Sequence, residues 1–152
     1  CVDGRGAGSR RDAGVLAMRV LAQGVFDVLH PGHIYYLRES ATLGDELVVI
    51  VARDSTAHNQ PLLMGENDRL KMVRALEMVD QAVLGSETDM FENVEQVDPD
   101  VITLGYDQPF DEGELRTMLD GRGLDDVELV RIDEYHGDIV SSSEIRATIS
   151  EL

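Results

Sequence analysis

Cysteine is almost missing from this sequence: Cys1 is the only one in 152 residues. A disulfide framework within the chain is therefore excluded, and so is a cysteine-based metal site. Lysine is equally scarce. Lys71 stands alone, and 13 basic residues face 30 acidic ones for a net charge of −17. That balance leaves no broad basic surface, which argues against nucleic acid as a partner. No run of 18 apolar residues occurs, so no transmembrane helix and no membrane partner are expected. The start of the chain, CVDGRGAGSRRDAGVLAM, lacks the apolar core of a secretory signal. Residues 1–17 read as a disordered N-terminal extension, with Met18 as a natural start and 18–152 as one domain. There is no internal repeat, and no low-complexity tract outside the extension.

The acidity has a second reading. At about 1 M salt the Debye length shrinks to roughly 3 Å, so repulsion between surface carboxylates is screened. Many carboxylates with a single lysine fit a salt-adapted, halophilic cytoplasmic protein. Such a protein can still hold a nucleotide if local donors and a cation overcome the global field.

Apolar runs alternate with helical periods along the chain. Strands are predicted at Arg19–Gly24, Glu46–Ala52, Gln81–Leu84, Asp100–Leu104 and Val127–Ile132. Helices are predicted at Pro31–Leu43, Asn67–Met78 and Met90–Val97, from Asp111 to near Gly121, and from Ser141 to about Glu151. Residues 54–66 read as a loop. Alternating β and α elements with short links predict a single α/β domain of Rossmann-like type, a parallel sheet with helices on both faces. Ligands of such folds lie beyond the carboxyl ends of the strands. Three polar segments converge there: Gly24–Asp27, Gly105–Gln108, and Tyr135 to Ser143.

The central stretch is Gly24-Val25-Phe26-Asp27-Val28-Leu29-His30-Pro31-Gly32-His33. It reads as a strand end, a turn and a helix start, with Pro31 at the first helical position. Backbone N–H groups at a turn and a helix N-terminus make an anion site. Gly32 lets the backbone approach a ligand closely. His30 near the cap and His33 in the first turn can face one anion, each donating a charge-assisted hydrogen bond to phosphate. A zinc site on the two histidines would have only Asp27 as a near third ligand.

This stretch resembles the G-x-F-D-x-x-H-x-G-H signature of the cytidylyltransferase-like nucleotidyltransferases. Val140-Ser141-Ser142-Ser143-Glu144-Ile145-Arg146 is similar to their I-S-[ST]-[ST]-x-I-[KR] segment. Val51-Ala52-Arg53-Asp54, the helix from Arg69 to Leu76, and above all Leu104-Gly105-Tyr106-Asp107-Gln108 resemble the archaeal FAD synthases. The resemblance spans residues 19–150. It implies transfer of AMP from ATP to FMN, giving FAD and pyrophosphate by in-line attack without a covalent intermediate. The alternatives are a CTP-dependent transferase acting on a phosphorylated alcohol such as glycerol 3-phosphate, and a non-catalytic nucleotide-binding domain.

The resemblance also implies roles. His30 and His33 contact the triphosphate and stabilise the transition state, with Pro31 and Gly32 shaping the same mouth. The backbone of Val25 and Phe26 cradles phosphate. Ser141, Ser142 and Ser143 bind the triphosphate or the leaving pyrophosphate. A divalent ion, Mg²⁺ or similar, is held mainly by the substrate phosphates, with no protein metal ligands. Asp107 contacts the ribose or base, or else serves the turn. Tyr135 lines the nucleotide pocket or packs as a core aromatic. Arg69 supplies a cation to a phosphate or is a solvated helix charge. Asp27 fixes the turn, and Asp54 also matches a family position. Two departures stand out. The loop at His58-Asn59-Gln60-Pro61 has no basic residue, and His136 stands where glycerol-phosphate cytidylyltransferases carry an arginine. A homodimer is a family-level expectation.

Overall fold

The computed structural model describes residues 17–56, 62–106, 108, 111–133 and 135. The elements are β1 (Arg19–Gly24), α1 (Pro31–Ala41), β2 (Glu46–Val51), α2 (Glu66–Arg74), β3 (Gln81–Leu84), α3 (Met90–Val97), β4 (Val101–Leu104), α4 (Glu112–Gly121) and β5 (Glu128–Arg131). The strands form one sheet in the order β3-β2-β1-β4-β5. Every pairing is parallel. The Rossmann-like α/β reading therefore holds for the described residues. The extension read over 1–17 lies outside them except for Ala17, as does the helix expected from Ser141. No described helix is long and apolar enough to cross a membrane.

Side chains alternate between the two faces of a strand, and the core divides accordingly. Val20, Ala22, Leu47, Val49 and Val51 pack with Leu37 of α1 and with Leu70 and Val73 of α2. Leu21, Val48, Ile50 and Ile102 pack with Phe91 and Val94 of α3 and with Leu115 and Leu119 of α4. All six residues of β2 are buried, as expected of a β-branched run covered on both faces. The buried Arg19 guanidinium donates to the Glu46 carboxylate at 2.9 Å, tying the starts of β1 and β2.

Several boundaries differ from the sequence reading. The helix expected to reach Met78 ends at Arg74, with Ala75 as its C-cap. Leu76, Met78 and Val79 nevertheless pack on the core, so the apolar period continues through a turn that is no longer helical. The β2 strand stops at Val51, although Ala52 N–H still donates to the Gly24 carbonyl at 2.9 Å.

β1 is central, and its two neighbours leave it in opposite sequence directions, β2 on one side and β4 on the other. This is the switch point at which ligands of such sheets bind. The turn after β1, the mouth of α1 and the Gly105–Gln108 loop all meet there.

Candidate active site

The chain leaves β1 at Gly24, where a Cβ would sit 2.8 Å from the ring of Phe26. Only glycine lets Phe26 fold over the strand end. Phe26 itself has φ of 55°, a left-handed conformation that is an outlier for a bulky residue and costs about 1–3 kcal/mol. Its ring is buried edge-on against His33, with centroids 5.3 Å apart.

His30 is the N-cap of α1, with extended backbone, and Pro31 follows at the first helical position. Its Nδ1 accepts from Gly32 N–H at 3.1 Å. His33, at N3, reaches back with its own Nδ1 to accept from His30 N–H at 3.4 Å. Two histidines thus form a capping box, the reciprocal arrangement usually made by Ser or Thr with Glu. Their rings stack at 3.8 Å and 28°. An accepting Nδ1 carries no proton, so a proton on either ring sits on Nε2. The first turn contains no acidic residue, so the positive end of the helix dipole is not offset there.

This geometry corrects two expectations. Backbone N–H groups of the helix mouth were expected to bind the anion directly. Gly32 N–H is instead spent on His30, and His33 N–H on the His30 carbonyl at 2.9 Å. The ring nitrogens are engaged as well: each Nδ1 accepts a backbone N–H, His33 also hydrogen-bonds the Val28 backbone, and His30 Nε2 is buried. The second correction concerns charge. Burial, and then the neighbouring His30, push His33 down to about 3, against a hydrogen bond with the Val28 backbone that works the other way. His33 is neutral at neutral pH, so its donor is a neutral N–H.

Arg69 is not the phosphate contact proposed from sequence. It is 0% exposed. Its Nη1 donates to the carbonyls of Val25 and Ala52, both at 2.8 Å, and its Nε to Met64 at 3.1 Å. Nη2 pairs with the Asp54 carboxylate at 2.6 Å. A guanidinium committed to these four acceptors is a clamp that holds the turn after β1 to the end of β2. Asp27 does fix a turn, as expected, but the turn belongs to the next loop: its buried carboxylate accepts from Leu63 N–H and Met64 N–H at 2.9–3.0 Å. Asp54, matched to the family by sequence, serves the Arg69 clamp.

Three further side chains organise this edge, and sequence reasoning had given none of them a role. The Tyr36 hydroxyl donates to the Thr103 carbonyl at 2.9 Å and accepts from Gln23 N–H at 3.3 Å, joining α1 to β4 and β1. Its burial raises its pKa to about 12. Gln108 accepts from Gly105 N–H at 2.8 Å and donates to the Gln23 carbonyl at 3.0 Å, bridging the switch point. Arg131 donates to the carbonyls of Gly105 and Gln108. Only Gln108 had a sequence signal, the G-Y-D-Q tetrapeptide; nothing local marks the other two.

A cavity of about 450 Å³ opens beside this framework, over the ends of β1, β2 and β3. Its walls include Gln23, Gly24 and Val25 from the turn before the histidines, Ile50 and Ala52 from β2 and its end, and Gly85 to Asp89 after β3. The volume lies within the range of small-molecule sites. Ser86 Oγ accepts from Thr88 N–H and Asp89 N–H, which folds this last segment into a tight turn. Asp89 then caps α3 through Phe91 N–H at 2.9 Å.

Of the other residues proposed from sequence, Tyr135 stands with its ring centroid 5.5 Å from that of Tyr35 in α1. Val25, Phe26, His30, Pro31, Gly32 and His33 come together at the α1 mouth. Asp107, His136, Ser141, Ser142 and Ser143 lie outside the described residues, as do His58, Asn59, Gln60 and Pro61. Among the described residues no group of three or more His, Cys, Asp or Glu side chains could hold a metal ion.

Comparison with known proteins adds an independent line. A family model described as cytidylyltransferase-like matches residues 21–148. An FAD synthase of Thermoplasma volcanium is 54% identical over 137 residues, covering 89% of this chain and 96% of its own length. An FAD synthase of Methanoculleus marisnigri is 54% identical over 129 residues, covering 84% of this chain and 86% of its own length. A crystal structure from Thermoplasma volcanium, described as a lipopolysaccharide core biosynthesis protein, superposes with a TM-score of 0.77 at 54% identity. It matches 79% of this chain and 99% of that one. A protein of unknown function from Archaeoglobus fulgidus shares the fold alone, with a TM-score of 0.64 at 19% identity over 76% of this chain and 90% of its own.

Proposed function

The chain belongs to the cytidylyltransferase-like family and is a nucleotidyltransferase, and from that premise we propose that it is an FAD synthase. The reaction joins ATP and FMN. A phosphate oxygen of FMN attacks the α-phosphorus of ATP in line, the bond from that phosphorus to the bridging oxygen breaks, and pyrophosphate leaves with the electron pair. No protein nucleophile is required. The barrier falls through positioning and through donors aimed at the phosphoryl oxygens.

The observation that carries this reading is the juxtaposition at the switch point. A mouth of paired imidazoles, free of acidic residues in its first turn, opens beside a cavity lined by Val25, Ile50, Ala52 and the glycines Gly24 and Gly85. The triphosphate belongs at the histidines and the flavin ring in the cavity, with Gly24 and Val25 between them. Donation from the His30 and His33 rings offsets charge on the α-phosphoryl oxygens as it builds. Ser141, Ser142 and Ser143 hold the β- and γ-phosphates in the proposal, and Asp107 the ribose. The divalent ion arrives with ATP, bound by phosphate oxygens, as expected for Mg²⁺.

The relatives named FAD synthase support FMN as the acceptor. A net charge of −17 with one lysine supports adaptation to high salt. A homodimer rests on family resemblance.

The test is a substrate matrix. Purified protein is incubated with α-labelled ATP or CTP and with FMN, glycerol 3-phosphate or no acceptor. FAD together with equimolar pyrophosphate, formed only from ATP and FMN, is expected. Pyrophosphate release that requires CTP and another acceptor overturns the assignment, as does saturable binding without turnover.

A further inference from the structure

The cavity beside the histidines contains a side chain whose hydrogen-bonding capacity is half used. Asn93, on the first turn of α3, lies on the cavity wall and is 8% exposed. Its Oδ1 accepts from Ser86 N–H at 2.7 Å. A backbone N–H can be met only by the oxygen end of an amide, so this contact fixes the orientation of the group. The Nδ2 end has no hydrogen bond among the described residues, yet it is not sealed away from solvent. What little exposure Asn93 retains therefore opens into the cavity.

Three neighbouring polar side chains are committed elsewhere. Both ends of the Gln108 amide are engaged by Gly105 and Gln23. Ser86 Oγ holds two backbone N–H groups. Asp89 caps α3 and pairs with Arg122 at 2.6 Å. The rest of the wall combines Val25, Ile50, Ala52, Gly24 and Gly85 with Thr56, Glu87 and Thr88. A flat heterocycle entering such a slot meets apolar contact on its faces and one buried donor at its edge. Sites of this kind discriminate strongly, because a wrong ring leaves the buried polar group unpaired.

We propose that Asn93 is the specificity-determining residue of the acceptor site, its Nδ2 donating to a ring carbonyl on the pyrimidine edge of the flavin. The proposal rests on the FAD synthase reading and adds the atom that recognises the acceptor ring. Ser86 N–H is then part of the device: it consumes the oxygen end so that only a donor faces the ligand.

Asn93→Asp separates recognition from architecture. Aspartate keeps an oxygen for Ser86 N–H and replaces the donor with an anionic acceptor facing the flavin carbonyl. The expected result is a rise in the KM for FMN of roughly 10- to 100-fold, a parallel rise in the Kd read by flavin fluorescence, and a KM for ATP within about twofold of wild type. An unchanged KM for FMN overturns the proposal, since a residue that only holds the Ser86 turn tolerates this change. A rise in the KM for ATP alone, or equal loss on both substrates, overturns it as well. If the variant does not fold, the wild-type protein decides: the Asn93 side-chain NH₂ resonances are expected to shift on adding FMN and to stay in place with a non-hydrolysable ATP analogue. Resonances that ignore FMN overturn the proposal. Absence of FAD formation by the wild-type enzyme is a separate result, and it brings down the functional reading beneath.

Discussion

His33 combines a structural task with a chemical one. Its Nδ1 closes the capping box and its ring backs Phe26, so its neutral form is built into the fold. The sign of the pH dependence follows. In the unfolded chain this histidine takes up a proton below about 6.5, whereas in the folded protein it does so only near 3. Between those values the unfolded state binds more protons, so stability is fully present above 6.5 and drains away as the pH falls toward 3. At about pH 5 the loss attributable to this residue is about 2 kcal/mol. Urea unfolding of wild type and His33→Gln at pH 7.5 and pH 5 checks it: wild type is expected to lose more stability than the variant. Equal losses would show that the imidazole does not resist protonation. The importance of the histidine pair was legible in H-x-G-H; the direction of its ring nitrogens was not. Which nitrogen faces the backbone depends on the cap geometry, which residue spacing does not carry. Asn93 and Arg69 were illegible for the same reason, because burial of a polar side chain is a product of tertiary packing.

Among the elements, β1, β3 and α3 run over the stretches expected from sequence. Glycine or proline lies near the ends of these runs, and their apolar pattern stops where the element stops. α2 was overextended because Leu76 and Met78 continue to face the core after the helix has ended. The join between β1 and β2 ends is where the elements depend on one cation. Arg69 donates to the carbonyls of Val25, Ala52 and Met64 and pairs with Asp54. Arg69→Met keeps the side-chain bulk and leaves the Val25, Ala52 and Met64 carbonyls without this donor, each unsatisfied buried acceptor costing about 1–3 kcal/mol. Chemical denaturation is expected to show that loss. A variant of wild-type stability with a raised KM for ATP would return Arg69 to the role of phosphate ligand. The parallel sheet and the two helical layers were legible because β-α alternation with short links points to them, whereas the order β3-β2-β1-β4-β5 came only from the structure. The clamp was not, since a single arginine on a helix reads as a solvated charge.

At the scale of the whole molecule, −17 charges on 152 residues repel one another. Screening by salt relieves that repulsion. The thermal midpoint is therefore expected to climb between about 0.1 M and 2 M KCl, where the Debye length drops from roughly 10 Å to below 3 Å. A midpoint that is flat or falling would identify an acidic protein without salt adaptation. The same excess of negative charge makes the local electrostatics at α1 decisive, because a triphosphate approaches this surface against the overall field. The mouth has no acidic residue in its first turn, and two imidazoles stand in it. The most direct measurement of that arrangement compares FAD formation by wild type and His33→Ala at saturating ATP and FMN. The variant should fold, bind FMN with unchanged affinity in the neighbouring cavity and turn over roughly 10²- to 10³-fold more slowly, the scale of losing one transition-state donor. A folded His33→Ala enzyme making FAD at the wild-type rate would contradict the account.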